Sequence, residues 1–584
     1  MTRAGHQEPL RREQERGPQH HVKPAASTDL QWGSRAAHVT AKATSIAPQS
    51  GDARAMGSPG VGGAARVQGE ERNTRGPSAQ PASGHGGSYK PTAKSSAAQR
   101  ESEGVVVPAR AATHNAAGGK GPCGGQVGGG GKREGMAGRT GPNSPDGRKP
   151  IDQVRQLQRR LWAAAKRSPG RRFHALYDRL WRGDVLREAW RRVRGNHGAA
   201  GVDAQTLGAI EQHGVERFLA ELGAELRAGT YRPRAVLRRY ISKQDGRRRP
   251  LGIPTVRDRV VQMAAKLVLE PLFEADFRPT SYGFRPKRSA TDALETLRKA
   301  GARSGNYVLD ADIRDYFDSI DHGRLMQLVE RRVSDRRVLK LVRQWLAAGV
   351  MEEGRHHETI LGVPQGGVIS PLLSNIYLHV LDVAWERQGA ELGTLVRYAD
   401  DFVVMCATRS ACEAAERRVR TILAQVGLEL HPEKTRRVEL SWGKQGFDFL
   451  GCHLRKRLSG RIWEQQRKRI YFLQRWPSQR SMKRVRQRVK ELTGRNRGGV
   501  KDIRVLIRNL NPILRGWAAY FRTGNAANKF KHVDEYVRRR LRDFLVKRKG
   551  RHLRPGEATR WTRDFFYQHG LYRLHGTIQY PEAA

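Results

Sequence analysis

The sequence predicts an α+β fold in which helices lead into a set of strands and a strongly basic helical region follows them. Three observations carry this. Apolar residues recur at helical spacing from Ile151 to about Arg194 and again from Val256 to Leu267. Strand-like runs occupy Ala235 to Ile241, Tyr307 to Ile313, and both flanks of Tyr398-Ala399-Asp400-Asp401. After residue 460, cations and apolar residues interleave at helical spacing, as in Arg484-Val485-Arg486-Gln487-Arg488-Val489-Lys490.

Residues 1–150 precede this periodic body. They are rich in Gly, Ala, Ser and Pro, with stretches such as Gly128-Gly129-Gly130-Gly131, and hold too little apolar surface to offset the entropy of ordering. They are expected to form a disordered, low-complexity leader. The composition changes abruptly near Pro150, which leaves open a functional chain beginning near Met136.

In the body, Val154, Leu157, Leu161 and Trp162 form one helical stripe, and Phe173, Leu176, Leu180 and Trp181 a second. The turn-rich Gly198-Ala199-Ala200-Gly201-Val202-Asp203 ends this block. A strand over Ala235 to Ile241 then runs into the basic loop Ser242 to Pro250. After Ile253-Pro254, the residues Val256, Val260, Met263, Ala264 and Leu267 predict a helix that is mostly core, with Pro254 near its start.

The formal net charge is +51 with a pI near 11.1, and +41 of it falls in residues 151–584, so the charge belongs to the folded body. So much unneutralised positive charge points to a polyanion, with nucleic acid as the default. Cys123, Cys406, Cys412 and Cys452 show no CxxC spacing, so neither a structural zinc site nor a disulfide framework is indicated. No apolar run reaches 18 residues, and the expectation is a soluble cytoplasmic protein with no membrane partner.

The chemistry centres on Asp400 and Asp401, two adjacent carboxylates on a turn between Leu395-Val396 and Phe402-Val403-Val404-Met405. Two carboxylates ~4 Å apart repel by about 4 kcal/mol at an effective dielectric of 20, so such a pair needs a cation. Mg²⁺, with its preference for carboxylate and phosphate oxygens, suits an acidic hairpin in a basic chain. A third carboxylate, Asp312, ends the strand Tyr307 to Ile313. Phosphoryl transfer by two Mg²⁺ ions needs carboxylates from separate strands, one ion activating a 3′-hydroxyl and the other steadying pyrophosphate. Solvated acids on turns are the plain alternative for either segment alone; together the segments favour the metal site. Between them, Gly362-Val363-Pro364-Gln365-Gly366-Gly367 is a Gly-rich turn opening a helix, able to bring backbone close to a nucleotide or to serve as an ordinary helix entry.

The order of these segments resembles the reverse transcriptases and maturases encoded by group II introns, of the bacterial type. The resemblance runs from about Leu157 to Ile578. Gly198 to Asp203 resembles the extra N-terminal motif of these enzymes, and Pro250-Leu251-Gly252-Ile253-Pro254-Thr255 and Ser281-Tyr282-Gly283-Phe284-Arg285-Pro286 resemble their fingers motifs. The Asp312 strand, the Gln365 turn and Tyr398-Ala399-Asp400-Asp401 resemble the three palm motifs. Leu510 to Phe521 resembles the maturase motif of the thumb.

The resemblance implies a right-hand polymerase with α+β fingers and palm and a helical thumb that serves as maturase domain. The expected divisions are 151–300 for the fingers, 301–460 for the palm, 461–552 for the thumb and 553–584 for a short C-terminal tail. It implies catalytic Asp312, Asp400 and Asp401, with two Mg²⁺ ions on these and the Ile313 carbonyl. Asp310 is the weaker ligand candidate. Phe317 matches the steric gate that crowds a ribose 2′-hydroxyl, which implies deoxynucleoside triphosphates as substrates. Lys243 and Arg249 match triphosphate-binding cations, Gln365 a nucleotide contact, and Lys434 the residue that would protonate leaving pyrophosphate. Arg247 and Arg248 are template-contact candidates, and Gly446 to Gly451 resembles the primer grip.

In the thumb, Trp517, Tyr520 and Phe521 are expected as helix core, and Arg515, Arg522 and Lys529 as RNA contacts. The implied function is RNA-directed DNA synthesis together with help in splicing and mobility of the intron. The partners are then intron RNA as template and splicing substrate, a DNA target or primer, and nucleotides. The protein would be a monomer or dimer that joins the nucleoid during mobility. No His-Asn-His cluster with paired cysteines follows the thumb, so an endonuclease is not expected. A free-standing reverse transcriptase of retron, diversity-generating or defence type, and a splicing factor with little polymerase activity, are the rival readings.

Overall fold

The computed structural model describes residues 150–242, 248–358, 361–494, 500 and 502–580. The expected leader, Lys243 and Arg247 lie outside the described residues. The chain there is mixed α and β. Its strands are β1 (Val236–Ser242), β2 (Arg248–Ile253), β3 (Tyr307–Ala311), β4 (Val350–Glu352), β5 (Arg355–His357), β6 (Thr394–Tyr398), β7 (Asp401–Cys406), β8 (Arg436–Glu439), β9 (Gly446–Phe449), β10 (Cys452–Leu458) and β11 (Tyr471–Pro477). They form three sheets, in the orders β2-β1-β4-β5, β6-β7-β3-β8 and β11-β10-β9.

The first expected stripe becomes the helix Pro150–Arg167, whose Val154, Leu157 and Leu161 are buried. It packs on the helix Val256–Glu274, where Gln158 Nε2 donates to the Leu267 carbonyl at 3.0 Å and Lys166 Nζ to the Ala275 carbonyl at 3.1 Å. Trp162 departs from the expectation: it is 44% exposed, because the buried side of the helix is filled by the smaller residues at helical spacing around it. The second stripe is also divided. Phe173 lies in extended backbone bridged to Val333, its N–H donating to the Arg332 carbonyl at 2.8 Å, and only Tyr177–Leu180 and Gly183–Gly195 are helical. The Ser168-Pro169-Gly170 break explains this, since it ends the first helix and lets the chain extend.

The helix Val256–Glu274 buries Val256, Val260, Met263, Ala264 and Leu267, as the spacing predicts, and Thr255 Oγ1 caps it by accepting from the Asp258 N–H at 3.0 Å. The Gly198 to Asp203 turn closes over this cap. A Cβ on Gly201 would come within 2.7 Å of the Thr255 backbone, so only glycine permits the approach.

The central sheet β6-β7-β3-β8 is antiparallel and buried on both faces. Leu309, Ala311, Leu395, Phe402 and Val404 face a core shared with the N-terminal helices and the helices Ser370–Gln388 and Arg409–Gln425. Val308, Val396, Val403, Met405 and Val438 face a second core shared with β9 to β11 and the C-terminal helices. The alternation assigns each strand residue to one core or the other.

The C-terminal region is helical over Gln479–Leu492, Ile503–Phe521 and Ala527–Lys549. Trp517 and Phe521 are buried, the Trp517 ring lies 5.4 Å from that of Phe530, and the Tyr520 hydroxyl donates to the Leu450 carbonyl at 2.7 Å. These aromatics are core, as the helical spacing indicates. The chain beyond residue 553 lies on the same helices: Trp561, Phe566, Leu571 and Leu574 are buried in the second core. Asn511 Nδ2 donates to the Gly570 carbonyl at 2.8 Å, and Asp534 accepts from the Leu574 and His575 N–H groups at 3.0 and 2.8 Å. Among the described residues no helix is long and apolar enough to cross a membrane.

Candidate active site

Strand register brings the acids together. Asp310 lies opposite Val403 and Ala311 opposite Phe402, so one further step along the antiparallel pair sets Asp312 across from Asp401. Directly opposed residues share a face, so both carboxylates extend from the face of the sheet turned to the second core. Tyr398 pairs with Asp401, which leaves Ala399 and Asp400 as the two-residue turn between β6 and β7. Just past β3, the Arg314 N–H donates to the Glu429 carbonyl at 2.9 Å and the His431 N–H to the Asp312 carbonyl at 2.8 Å. Those bonds use the groups flanking Ile313, so the Ile313 carbonyl is directed to the opposite edge, toward the β6–β7 turn.

The turn is strained and held from beneath. Ala399 sits at φ +60°, a conformation that a side chain disfavours. Its carbonyl accepts from Arg397 Nη1 at 2.9 Å. Arg397 is fully buried and bonds both carboxylate oxygens of Asp382, at 2.8 and 2.5 Å, together with Asn375 Oδ1 at 3.1 Å and Ser281 Oγ at 2.8 Å. Burial opposes the guanidinium charge, but the Asp382 carboxylate outweighs it and the Arg397 pKa is raised. Gly283 closes the support. A Cβ there would lie 2.3 Å from the Ala399 nitrogen, and its carbonyl accepts from Asn375 Nδ2 at 2.8 Å.

The electrostatics match this crowding. Burial raises the Asp400 pKa, with the Asp312 charge adding to it, while the backbone, Arg249 and Arg397 pull the other way. Asp401 keeps solvent contact at the surface, but surrounding protein mass pushes it up to about 7, helped by Asp400, Asp312 and Asp310 and opposed by Arg249. Arg249, at the start of β2, is therefore within electrostatic reach of both. Lys434 Nζ lies 2.6 Å from Asp312 Oδ2, and Arg436 Nε 2.9 Å from Asp310 Oδ2. The Arg436 pairing engages Asp310, the weaker ligand candidate.

The Gly-rich turn lies between Phe317 and β2. The Val363 N–H donates to the Phe317 carbonyl at 2.8 Å, and the Gln365 carbonyl accepts from the Gly252 N–H at 2.7 Å. Gly366, at φ +116°, leaves no room for a Cβ, which would meet the Gly252 carbonyl oxygen at 2.4 Å. The helix Ser370–Gln388 follows, with Pro371 in its first turn. Phe317 is half-buried, its ring 5.2 Å from the Tyr316 ring, and the Tyr316 hydroxyl donates to the Ser374 carbonyl at 2.8 Å.

The structure thus groups Asp312, Ile313, Asp400, Asp401, Arg249 and Lys434, and links Phe317 and Gln365 through backbone. Arg515, Arg522 and Lys529 belong elsewhere, on the C-terminal helices. Arg522 is exposed, Lys529 half-buried, and the Arg515 guanidinium lies 5.5 Å from the Tyr572 ring centre. Sequence reasoning passed over Arg397, Asp382 and Asn375. A lone arginine in the apolar run Leu395-Val396-Arg397 and a lone acid in the apolar helix after Ser370 were the available signals.

Among the described residues no three acidic, histidine or cysteine side chains converge as a ready-made metal cage. A set of all-oxygen donors with few protein ligands fits Mg²⁺, which commonly completes its sphere with water and substrate phosphate, and does not fit zinc.

Two family models match the chain. Residues 241–454 match reverse transcriptase (RNA-dependent DNA polymerase), and residues 482–562 match the group II intron maturase-specific domain. Protein YkfC of Escherichia coli is 35% identical over 52% of this chain and 89% of its own length. The group II intron-encoded protein LtrA of Lactococcus lactis is 30% identical over 50% of this chain and 58% of its own. An uncharacterized 91 kDa protein in the cob intron of Schizosaccharomyces pombe is 27% identical over 59% of this chain and 50% of its own. The chain thus spans most of the first relative, somewhat over half of the second and half of the third.

Proposed function

The chain belongs to the group II intron reverse transcriptases and maturases, RNA-directed DNA polymerases that also assist splicing, and on that premise we propose how its residues divide the work. DNA synthesis on RNA takes place at Asp312, Asp400 and Asp401, in the palm of a right-hand fold whose fingers contribute Arg249. The basic C-terminal helices, as thumb and maturase domain, hold the intron RNA. The observation that carries this reading is the crowding of acids from two strands beside Arg249 and Lys434.

Asp312, Asp400, Asp401 and the Ile313 carbonyl would hold two Mg²⁺ ions, which when bound activate a primer 3′-hydroxyl and neutralise departing pyrophosphate. The protein residues do the rest. Arg249, with Lys243, binds the triphosphate, where the guanidinium can grip two oxygens at once. The Gln365 turn positions the nucleotide through backbone that glycines allow to approach closely. Phe317 crowds the place of a ribose 2′-hydroxyl and so selects deoxynucleotides. Lys434, released from Asp312, gives a proton to the pyrophosphate. The Arg397–Asp382 pair and Gly283 hold the turn so that Asp400 and Asp401 do not drift.

Splicing help requires no further chemistry from the protein, because differential binding alone favours one fold of a catalytic RNA. The same reading makes a DNA target or primer its second nucleic-acid partner, met at the nucleoid by a monomer or dimer.

The test is primer extension on an RNA template by wild type and Asp400→Ala, run beside splicing of the flanking intron. Extension should fall about a thousandfold or more while splicing persists. Equal extension by the two proteins would remove Asp400 from the mechanism, and a wild type inert on every RNA template would remove the polymerase reading.

A further inference from the structure

Large apolar side chains left in water are ordinary when scattered and informative when gathered. Eight large hydrophobic side chains are exposed among the described residues, and three of them, Trp442, Leu458 and Phe472, belong to the β10–β11 hairpin and the turn beside it. Leu458 pairs with Tyr471 and shares its face, whereas Phe472 pairs with Arg457 on the opposite face of the hairpin. The Trp442 ring stands 5.6 Å from that of Tyr471, nearly perpendicular at 87°. Trp442 is 67% exposed, the most of any large hydrophobic residue described.

The turn that presents this tryptophan is built for the purpose. Trp442 itself has φ +55°, a conformation disfavoured for any residue with a side chain. Gly443 follows at φ +66°, and a Cβ on it would strike the Lys456 carbonyl oxygen at 2.5 Å, so the turn is pressed against β10. Arg455 Nε fastens it by donating to the Gly443 carbonyl at 2.8 Å. Packing does not require this arrangement, since the core ends at the buried Leu473 and Lys456 and the ledge lies beyond it.

Charge identifies the occupant. Residues 442–476 contain nine Lys and Arg against two Asp and Glu, and all but the buried Lys456 and Arg475 are exposed, so a polyanion is drawn to the surface. An apolar partner protein or a second copy of this equally basic segment would be opposed by that charge. Aromatic faces in a basic surface suit nucleic-acid bases, whose stacking tolerates any sequence. The bases must be unpaired, because those of a duplex already stack on one another and offer no free face. The place also lies away from the acids: Trp442 follows the Glu439 end of β8, which pairs with Tyr307, five residues or ~17 Å along β3 from Asp312.

We propose that the ledge of Trp442, Leu458 and Tyr471, flanked by Arg455, stacks unpaired bases of a loop of the intron RNA. It is an anchoring site separate from the polymerase centre. The inference rests on the reading of the chain as a binder of its intron RNA, and the experiment separates the two.

Full-length wild type, Trp442→Ala and Trp442→Phe are compared at fixed salt for affinity to the flanking intron RNA. The same proteins are compared for affinity to an RNA–DNA primer–template duplex, for extension of that duplex, and for sedimentation without RNA. Trp442→Ala should bind intron RNA about tenfold more weakly, the scale of one base–aromatic stack, with an unchanged salt slope and unchanged duplex binding and extension. Trp442→Phe, which keeps a stacking ring, should stay within about twofold of wild type. Unchanged intron affinity in Trp442→Ala overturns the ledge, and so does an equal loss on the duplex. A shift from dimer to monomer with RNA affinity intact overturns it in favour of a contact between copies. A wild type that fails to bind intron RNA overturns the underlying reading, whereas a wild type that binds alongside an equal Trp442→Ala removes only the ledge.

Discussion

The end of the central sheet and the C-terminal helices use charge in opposite ways. At the sheet, Asp310, Asp312, Asp400 and Asp401 repel one another, and burial pushes Asp310, Asp400 and Asp401 toward protonation. Their turn is held by a fully buried ion pair. Along the helix Gln479–Leu492, only Met482, Val485 and Val489 are buried, while Arg480, Lys483, Arg486, Arg488 and Lys490 face outward. The first arrangement gives up stability for position and the second gives up position for charge density. Chemistry at a reacting atom tolerates little displacement. A hold on a phosphate backbone needs mainly the sum of its charges. Substitutions should therefore act steeply and as a unit at the sheet, and gently and additively along the helices.

The steepest contrast is expected at Asp382, which touches no substrate. Removing one partner of a buried pair strands the other charge, so Asp382→Asn should lower the unfolding free energy by about 3–5 kcal/mol, read by urea denaturation. Extension should fail in the surviving folded protein, because Arg397 then loses the fixed position from which it holds the Ala399 carbonyl. Arg488→Gln on the helix surface should change stability by less than about 0.5 kcal/mol. If the two variants lose similar stability, the comparison breaks at its strongest point.

What the sequence revealed of this contrast follows the range of the forces. The acids, the strands that carry them and the Gln365 turn were legible because period-two alternation and short spacing are local. The burial of Trp517 and Phe521 was legible for the same reason, at helical period. Trp162 was misplaced on a buried stripe because its rim position depends on how the helix Pro150–Arg167 meets the helix Val256–Glu274. The support beneath the turn was invisible for a stronger reason. Ser281, Asn375, Asp382 and Arg397 converge from separate elements, and only the finished fold makes them neighbours. Gly283 appeared in a motif, yet its role, leaving space for the Ala399 nitrogen, required the close approach itself. Lys434 was selected by resemblance, and its ion pair with Asp312 joins two elements that are far apart in the sequence.

A smaller effect with a definite sign is expected at Asp401. Its folded pKa is raised, first by burial and then by Asp400, Asp312 and Asp310, so the folded chain holds this proton more tightly than the unfolded chain. Stability from this group is present at low pH and is lost as pH rises from the unfolded carboxylate value near 3.8 to about 7. Asp401→Asn cannot ionise. Without added divalent metal it should match wild type near pH 4 and be more stable by about 1 kcal/mol at pH 8, a figure discounted because Asp401 reaches solvent. The same variant should lose extension, setting stability against function at one residue. Equal stability of the two proteins at both pH values would show that the acids do not strain the fold.

The gentlest effect belongs to the helices, and it tests additivity. Arg515 is a poor choice, since its guanidinium covers the Tyr572 ring and its loss would disturb packing as well as charge. Arg522 is exposed and its backbone carbonyl, not its side chain, takes the Gln579 N–H at 3.0 Å. Arg522→Gln should therefore change charge alone. If wild type neutralises on the order of eight phosphates, its log affinity for intron RNA should fall with log salt at a slope of about −6 to −7. Arg522→Gln should make that slope shallower by about 0.7–0.9 and weaken binding about two- to fivefold at 0.1 M salt, with extension of a short primer–template unchanged. A second exposed cation removed on the same surface should subtract a similar amount again. A loss much larger than the sum would mean that the helices, like the turn at Asp400, hold their ligand by position, and that the two regions differ less than their charges suggest.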